Sequence, residues 1–319
     1  MSYNLLVLLG ATASGKTRLG VQLASRLGGE IISADSRQVY RGMDLGTGKD
    51  LAEYGPVPYH LIDIVEPGYE FNVFEFQQRA FTAIEAIRSR ERLPLLVGGT
   101  GLYLDAVLRG YRLVPVPENP ALRAELAELA PAELAERLRR LRPQLHNSTD
   151  LSDRARLVRA IEIVVGEAAA ADRLPPAPAI RPLVLGLRRP REILRRLITE
   201  RLRLRLADGL IEEVATLHAA GVPWATLEFY GLEYRYVAQH LQGSCNRNDL
   251  TQRLAVAIQQ FAKRQETWFR RMEKQGVRIH WLEGQGDALE QALGVIDREA
   301  GRWQGQSMSG SAGPVPSAD

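Results

Sequence analysis

The sequence predicts an α/β fold, a parallel sheet flanked by helices, with a small helical insertion in the middle of the chain. Three observations carry this. The apolar stretch Leu5 to Leu9 runs into Gly10-Ala11-Thr12-Ala13-Ser14-Gly15-Lys16-Thr17 and then into a helix with Leu19, Leu23, Ala24 and Leu27 on one face, the strand, loop and helix of a phosphate loop. Further short strands, Glu30 to Ser33, His60 to Val65, Pro94 to Val97, Leu183 to Leu187 and Val277 to Leu282, are separated by helical periodicities. Pro94 to Val97 is wholly apolar, as a strand at the centre of a parallel sheet is. Between Pro115 and about Arg142 the composition turns to Ala, Leu, Glu and Arg at helical spacing, bounded by prolines. The expected organisation is a first core segment over 1–112, the insertion over 113–150, the rest of the core with Arg-rich helices over 151–300, and a disordered Gly, Ser and Pro tail over 301–319.

Each element has its own warrant. The glycines let backbone N–H groups turn inward on an anion, and the helix that follows adds its positive end. Gly10, Thr12, Ala13, Ser14, Gly15, Lys16 and Thr17 are therefore the candidate phosphate ligands, with the Thr17 hydroxyl a candidate Mg²⁺ ligand. Leu5 to Leu9 is too short for a signal-peptide core and lacks a basic leader. After the second strand, Asp35 sits in a polar loop with Ser36, Arg37 and Gln38, beyond the carboxyl end of the sheet where ligands bind. From this stretch alone, Asp35 reads either as a group facing the phosphates or as a helix N-cap. His60 reads as a satisfied structural residue. Val73 to Arg90 has helical periodicity, with Phe74, Ala80, Phe81, Ile84 and Ile87 apolar. Gly98-Gly99-Thr100-Gly101 is a second Gly-rich turn at a strand end, either a tight connection or an approach to the same crevice.

Ala168 to Pro182 reads as a linker, and Arg189 to Ala207 as a helix crowded with Arg191, Arg195, Arg196, Arg201, Arg203 and Arg205, a candidate RNA-facing stripe. Thr251 to Met272 is a long amphipathic helix in which basic and aromatic residues interleave.

Composition sets outer limits. With 319 residues, 45% of them hydrophobic, the chain can bury one large core and a smaller lobe, and no apolar stretch approaches a membrane span. The net charge is +3 and the pI about 9.1, mostly from arginine, which points to a polyanionic partner. Cys245 is the only cysteine, so an internal disulfide and a Cys-based zinc site are excluded and a cytoplasmic location is expected.

Asp35-Ser36-Arg37-Gln38-Val39-Tyr40 with Gly42-Met43-Asp44, Tyr59-His60-Leu61-Ile62-Asp63, Leu95 to Tyr103, and Ala262-Lys263-Arg264-Gln265 with Trp268-Phe269-Arg270 resemble the tRNA dimethylallyltransferase (isopentenyltransferase) family. The resemblance implies a P-loop NTPase-like core. It also implies transfer of a dimethylallyl group from dimethylallyl diphosphate to N6 of the adenosine at tRNA position 37, with Mg²⁺, by a monomer that grips the anticodon stem-loop. On that pattern Asp35 is the general base, Thr100 lies near the acceptor nitrogen, and Lys16 stabilises the departing diphosphate. Asp35, Ser36, Arg37, Gln38, Thr100, Arg156, Arg159, Lys263, Arg264, Gln265 and Trp268 meet tRNA. A carboxylate, ionised at neutral pH, suits removal of the amine proton.

Two departures stand out. The polar stretch usual after the helix that carries Asp153 to Glu162 is missing, Ala168 to Pro182 standing there as a linker, and no arginine precedes Gly231, where many family members hold the donor diphosphate. Either Arg235 takes that task, or Lys16, the loop amides and Mg²⁺ hold diphosphate alone. The rival readings are prenylation of free AMP, ADP or ATP, a small-molecule kinase, and an RNA-binding module without activity.

Overall fold

The computed structural model describes residues 3–111, 116–142, 153–170 and 178–308. In chain order the elements are β1 (Leu5–Gly10), α1 (Lys16–Leu27), β2 (Gly29–Ala34), a 3-10 turn (Leu51–Tyr54), β3 (Tyr59–His60), α2 (Val73–Ser89), β4 (Leu93–Gly98) and α3 (Gly101–Leu108). There follow α4 (Pro120–Ala127), α5 (Pro131–Leu141) and α6 (Arg154–Ala170), then β5 (Pro182–Arg188), α7 (Arg191–Ala207), α8 (Leu210–Ala219), α9 (Trp224–Phe229) and α10 (Leu232–Leu241). The chain closes with α11 (Arg247–Lys274), β6 (Ile279–Glu283) and α12 (Ala288–Met308).

Among the described residues the strands form one parallel sheet in the order β3-β2-β4-β1-β5-β6. Every residue of β1, β2 and β4 is buried, which explains the apolar sequences of β1 and β4; in β2 buried Glu30 is paired with His60 and Arg90 and buried Ser33 with Gln38. Leu6, Leu8, Leu95 and Leu185 face α1 and α12, while Leu5, Val7, Leu9 and Leu96 face α2, α3 and α11. A third core joins Val39, Tyr40 and Met43 to α7, α8, α10 and α11. Because all strands run the same way, the loops after β1, β2, β4, β5 and β6 open at one edge, where a parallel sheet binds its ligands.

Contacts divide the chain into two compact units, Met1–Arg109 with Pro178–Asp319, and Gly110–Ala177. The smaller unit packs Leu122 and Leu126 of α4 and Leu134 and Leu138 of α5 on Leu157 and Ile161 of α6. The insertion expected over 113–150 therefore takes in α6, which the sequence reading placed with the core. The apolar face of α6 is covered by α4 and α5, and its buried Glu162 ties it to α4 through Asn119 N and Arg123, with Arg159 of α6 itself as a further partner. Two further expectations change. The strand over 60–65 ends at His60, because Leu61 and Asp63 adopt positive φ (64° and 55°) and break the ladder. The tail expected from Gly301 is helical through Met308, and residues 309–319 lie outside the described residues, as do 171–177 of the expected linker. No helix among the described residues is long and apolar enough to cross a membrane.

The loop after β2 is pinned from two sides. Fully buried Lys49 donates to the Tyr40 carbonyl at 2.7 Å, to Asp44 Oδ1 at 2.6 Å and to Asp63 Oδ1. From α8 the Glu213 carboxylate accepts the backbone N–H groups of Asp44, Leu45 and Gly46 at 2.7–3.1 Å and the Tyr234 hydroxyl at 2.7 Å. Removing the Lys49 ammonium leaves both aspartates facing each other without their cation. Lys49→Met is expected to destabilise the protein by about 2–4 kcal/mol, measured by urea unfolding.

Candidate active site

The phosphate loop forms as the motif requires. Ala13 and Gly15 take left-handed backbone angles (φ 61° and 93°), which curl the chain between β1 and α1. Lys16 Nζ lies 3.5 Å from the Ala11 carbonyl, and the Ser14 hydroxyl is buried with no hydrogen-bond partner among the described residues. Two arginines absent from the sequence-based ligand set reach the loop. Arg189, just past β5, donates from Nε to the Ser14 carbonyl at 2.7 Å, and Arg201 of α7 donates from Nη2 to Thr12 Oγ1. A cleft of about 630 Å³ opens here, lined by Lys16, Thr17, Asp50, Glu53, Arg189 and Arg201 among others.

These charges act on one another. Removal from water, the largest effect, lowers the Lys16 ammonium to about 8; Asp35 opposes the shift, and Arg201 and Arg205 add to it. Burial likewise brings Arg201 down to about 10, helped by Arg205. A multiply charged anion relieves both.

The Asp35 loop enters from β2. No helix follows Asp35, so the N-cap alternative falls; its Oδ1 instead accepts the Arg37 N–H at 2.9 Å in a local turn. Ser36 N donates to Thr100 Oγ1 at 3.1 Å, and Thr100 N to the Ala34 carbonyl at 3.2 Å, so the loops after β2 and β4 are joined at Thr100. Asp35, Ser36 and Thr100 are half-buried and remain open to the site edge.

Several residues expected to meet tRNA have other work. Gln38 is buried, its amide spanning the Ser33 hydroxyl (2.7 Å) and the Gly48 carbonyl (3.1 Å). Gln265 is buried in α11, where its Oε1 accepts Thr12 N at 2.8 Å and its Nε2 donates to the Gly99 carbonyl at 2.9 Å, tying the phosphate loop to the second Gly-rich turn. Gly99 is required there, since a Cβ would overlap the Gln265 amide. Trp268 lies half-buried against Gly101, and its indole N–H is buried with no hydrogen-bond partner among the described residues. Arg159 is held by Glu162 and the Val116 carbonyl, and Arg156 lies near Asp153, so the expected joint phosphate contact is not preformed. The Arg123 and Arg159 guanidiniums hold Glu162 down at about 2, Arg123 most strongly. Lys263 and Arg264 are exposed on α11, Arg264 over the Phe261 ring, and Arg37 lies over the exposed Phe229 ring. Arg235 does not substitute for the missing arginine: it is exposed, with Nε bonded to the Glu228 carbonyl at 3.1 Å. The signal for Arg201 lay in the sequence as helix spacing, but the helix's orientation was not.

Fold and loop together define a phosphate-loop α/β protein in which Lys16, Arg189 and Arg201 converge on the loop. Comparison with known proteins narrows this. The IPP transferase family pattern matches residues 38–272, and an isopentenyl transferase pattern matches residues 3–54. A protein described as tRNA dimethylallyltransferase 2 from Syntrophotalea carbinolica is 66% identical over 296 residues, covering 93% of this chain and 99% of its own. The solved tRNA isopentenylpyrophosphate transferase of Bacillus halodurans is 32% identical with a TM-score of 0.70, over 96% of this chain and 98% of that one. A eukaryotic dimethylallyltransferase, 23% identical with a TM-score of 0.72, shares the fold. The chain belongs to the IPP transferase family and is a prenyltransferase.

Two outcomes follow from this geometry. Pyrophosphate binding favours protonated Lys16, so the affinity of wild-type protein is expected to fall as pH rises above 8, by up to about tenfold per pH unit once the free ligand too has lost its last proton. Lys16→Arg, which stays charged, removes that part of the dependence; isothermal titration at pH 7 to 9.5 checks it. Gln265→Leu is expected to weaken pyrophosphate binding by about tenfold or more while leaving tRNA affinity within about twofold, measured by titration and filter binding.

Proposed function

We propose that the protein transfers a dimethylallyl group from dimethylallyl diphosphate to N6 of the adenosine at tRNA position 37, releasing diphosphate. The observation that carries the reading is the placement of Asp35 and Thr100 at the edge of a phosphate loop crowded by Lys16, Arg189 and Arg201. A cation cluster at one end and a carboxylate beside a hydroxyl at the other suit a reaction that separates charge between them.

In the step itself the C1–O bond of the allylic diphosphate breaks and a bond from adenosine N6 to C1 forms. The electron pair of the broken bond leaves with the diphosphate. Loop N–H groups, Lys16 and Arg201 stabilise that charge without reorganising, since packing already fixes them. The amine loses one proton as it bonds to carbon, and Asp35 accepts it. Thr100 orients the amine through its hydroxyl. A position beside the anticodon lies in a loop, so its base can be splayed into the site at modest cost. Exposed Lys263, Arg264 and Phe229, with half-buried Arg37, are the residues best placed to meet RNA phosphates and bases.

The site fits Mg²⁺ only in company with the donor. Among the described residues no group of three or more His, Cys, Asp or Glu could hold a metal alone, yet the Thr17 hydroxyl lines the cleft with the Asp50 and Glu53 carboxylates. These are the hard oxygen donors Mg²⁺ prefers when phosphate oxygens complete its shell. Bound there, Mg²⁺ would supply further neutralisation of diphosphate charge. We further place the enzyme in the cytoplasm, acting as a monomer.

Radiolabelled dimethylallyl diphosphate, bulk tRNA lacking the modification and Mg²⁺ test the reading, with AMP and ATP as parallel acceptors. Label is expected in tRNA, and Asp35→Ala is expected to lower its rate by about two orders of magnitude or more. Label in free nucleotide instead of tRNA would overturn the acceptor.

A further inference from the structure

Arg205 is the charged group that the site, as described, leaves unused. It sits one turn beyond Arg201 on the same face of α7, and its side chain is only 8% exposed. Its Nη2 makes no hydrogen bond among the described residues. The Asp50 Oδ2 that pairs with it lies at 3.5 Å and belongs to a side chain 46% exposed. The backbone of Gly48 (φ 63°) lies against the guanidinium so closely that any Cβ there would overlap it. Buried guanidinium N–H groups are costly to leave unpaired, and each one in a folded protein calls for an explanation, a ligand among them.

Charge points the same way. Lys16, Arg201 and Arg205 act on one another, with Asp35, Asp50 and Glu233 as the opposing charges, and Arg205 is the strongest neighbouring charge lowering Arg201. Cations pressed together away from water are satisfied by an anion carrying more than one charge. Meanwhile the residue run ahead of Gly231 is Leu227-Glu228-Phe229-Tyr230, with no cation, and Arg235 is tied to the Glu228 carbonyl. No arginine thus precedes Gly231, while α7 offers one whose Nη2 makes no hydrogen bond among the described residues and whose paired carboxylate, Asp50, lies 3.5 Å away.

We propose that Arg205 is a diphosphate-binding residue, its free Nη2 donating to the donor diphosphate beside Arg201 in place of an arginine ahead of Gly231. The identity of the ligand rests on the transferase reading. The test does not, because its main readout is binding of inorganic pyrophosphate.

Isothermal titration with pyrophosphate, in EDTA to remove metal, compares wild type with Arg205→Met, Arg205→Gln, Arg205→Lys, Asp50→Asn and the double variant Arg205→Met/Asp50→Asn, each checked for folding by its melting curve. Neutral variants at 205 are expected to bind about 10- to 100-fold more weakly, and Arg205→Lys to recover part of the loss. The double variant is expected to stay weak. With dimethylallyl diphosphate, KM should rise in Arg205→Gln by a larger factor than kcat falls. Pyrophosphate binding within twofold of wild type in either folded neutral variant overturns the proposal. So does full recovery in the double variant, which would make Arg205 only a counter-charge for Asp50. Wild-type protein that binds pyrophosphate but prenylates no acceptor would sink the transferase reading and leave the assignment of Arg205 to be decided by the variants.

Discussion

The side-chain amide of Gln265 holds the site together. Its oxygen takes the Thr12 N–H of the phosphate loop and its nitrogen gives to the Gly99 carbonyl of the turn after β4. The bond to Gly99 is buried and the one to Thr12 partly so, so each counts for more than it would at the surface, and losing the amide leaves a donor and an acceptor without their partner at once. Thr100 lies next to Gly99 and carries the tie onward to Ser36. One residue of α11 thereby sets the distance between the place where diphosphate would leave and the place where an amine would attack.

Around this frame the protein concentrates like charge and braces it from outside. Lys16, Arg189, Arg201 and Arg205 come from α1, the end of β5 and α7, and none could be held there by the loop alone. Packing of Leu194, Ile198, Leu202 and Leu206 of α7 into the core against Tyr40, Tyr234 and Leu254 sets the face that turns inward. The repulsion stored among these cations is what an arriving diphosphate relieves, and a departing one restores. The acidic loop is kept in place independently by Lys49 and Glu213, so Asp35 and Gln38 do not depend on the ligand for their position.

The smaller unit follows other rules. Its core is narrow, and Glu162, fully enclosed, replaces apolar contacts with a cluster of arginine and backbone donors. Arg159 is spent inside that cluster, whereas Arg137, Arg139 and Arg140 lie on α5 with acidic partners within the same helical pair. A run of arginine in sequence is therefore a weak guide to RNA contact, because much of it is balanced by glutamate close by.

The sequence by itself determined the strand order of events along the chain, the phosphate loop, the exposed position of Lys263 and Arg264, and Asp35 at a strand end. Those features are local: periodicity, glycine conformations and spacing decide them within a dozen residues. Only the tertiary structure decided that Gln38 and Gln265 are struts, that Trp268 lies half-buried against Gly101, that α6 belongs to the insertion, and that Arg201 reaches the loop while Arg205 is buried against Gly48 and Arg235 is exposed. A polar residue on an amphipathic helix can face water or a buried loop with the same spacing. Which face is buried depends on what packs against the helix, and for α7 and α11 that is set by residues more than a hundred positions away.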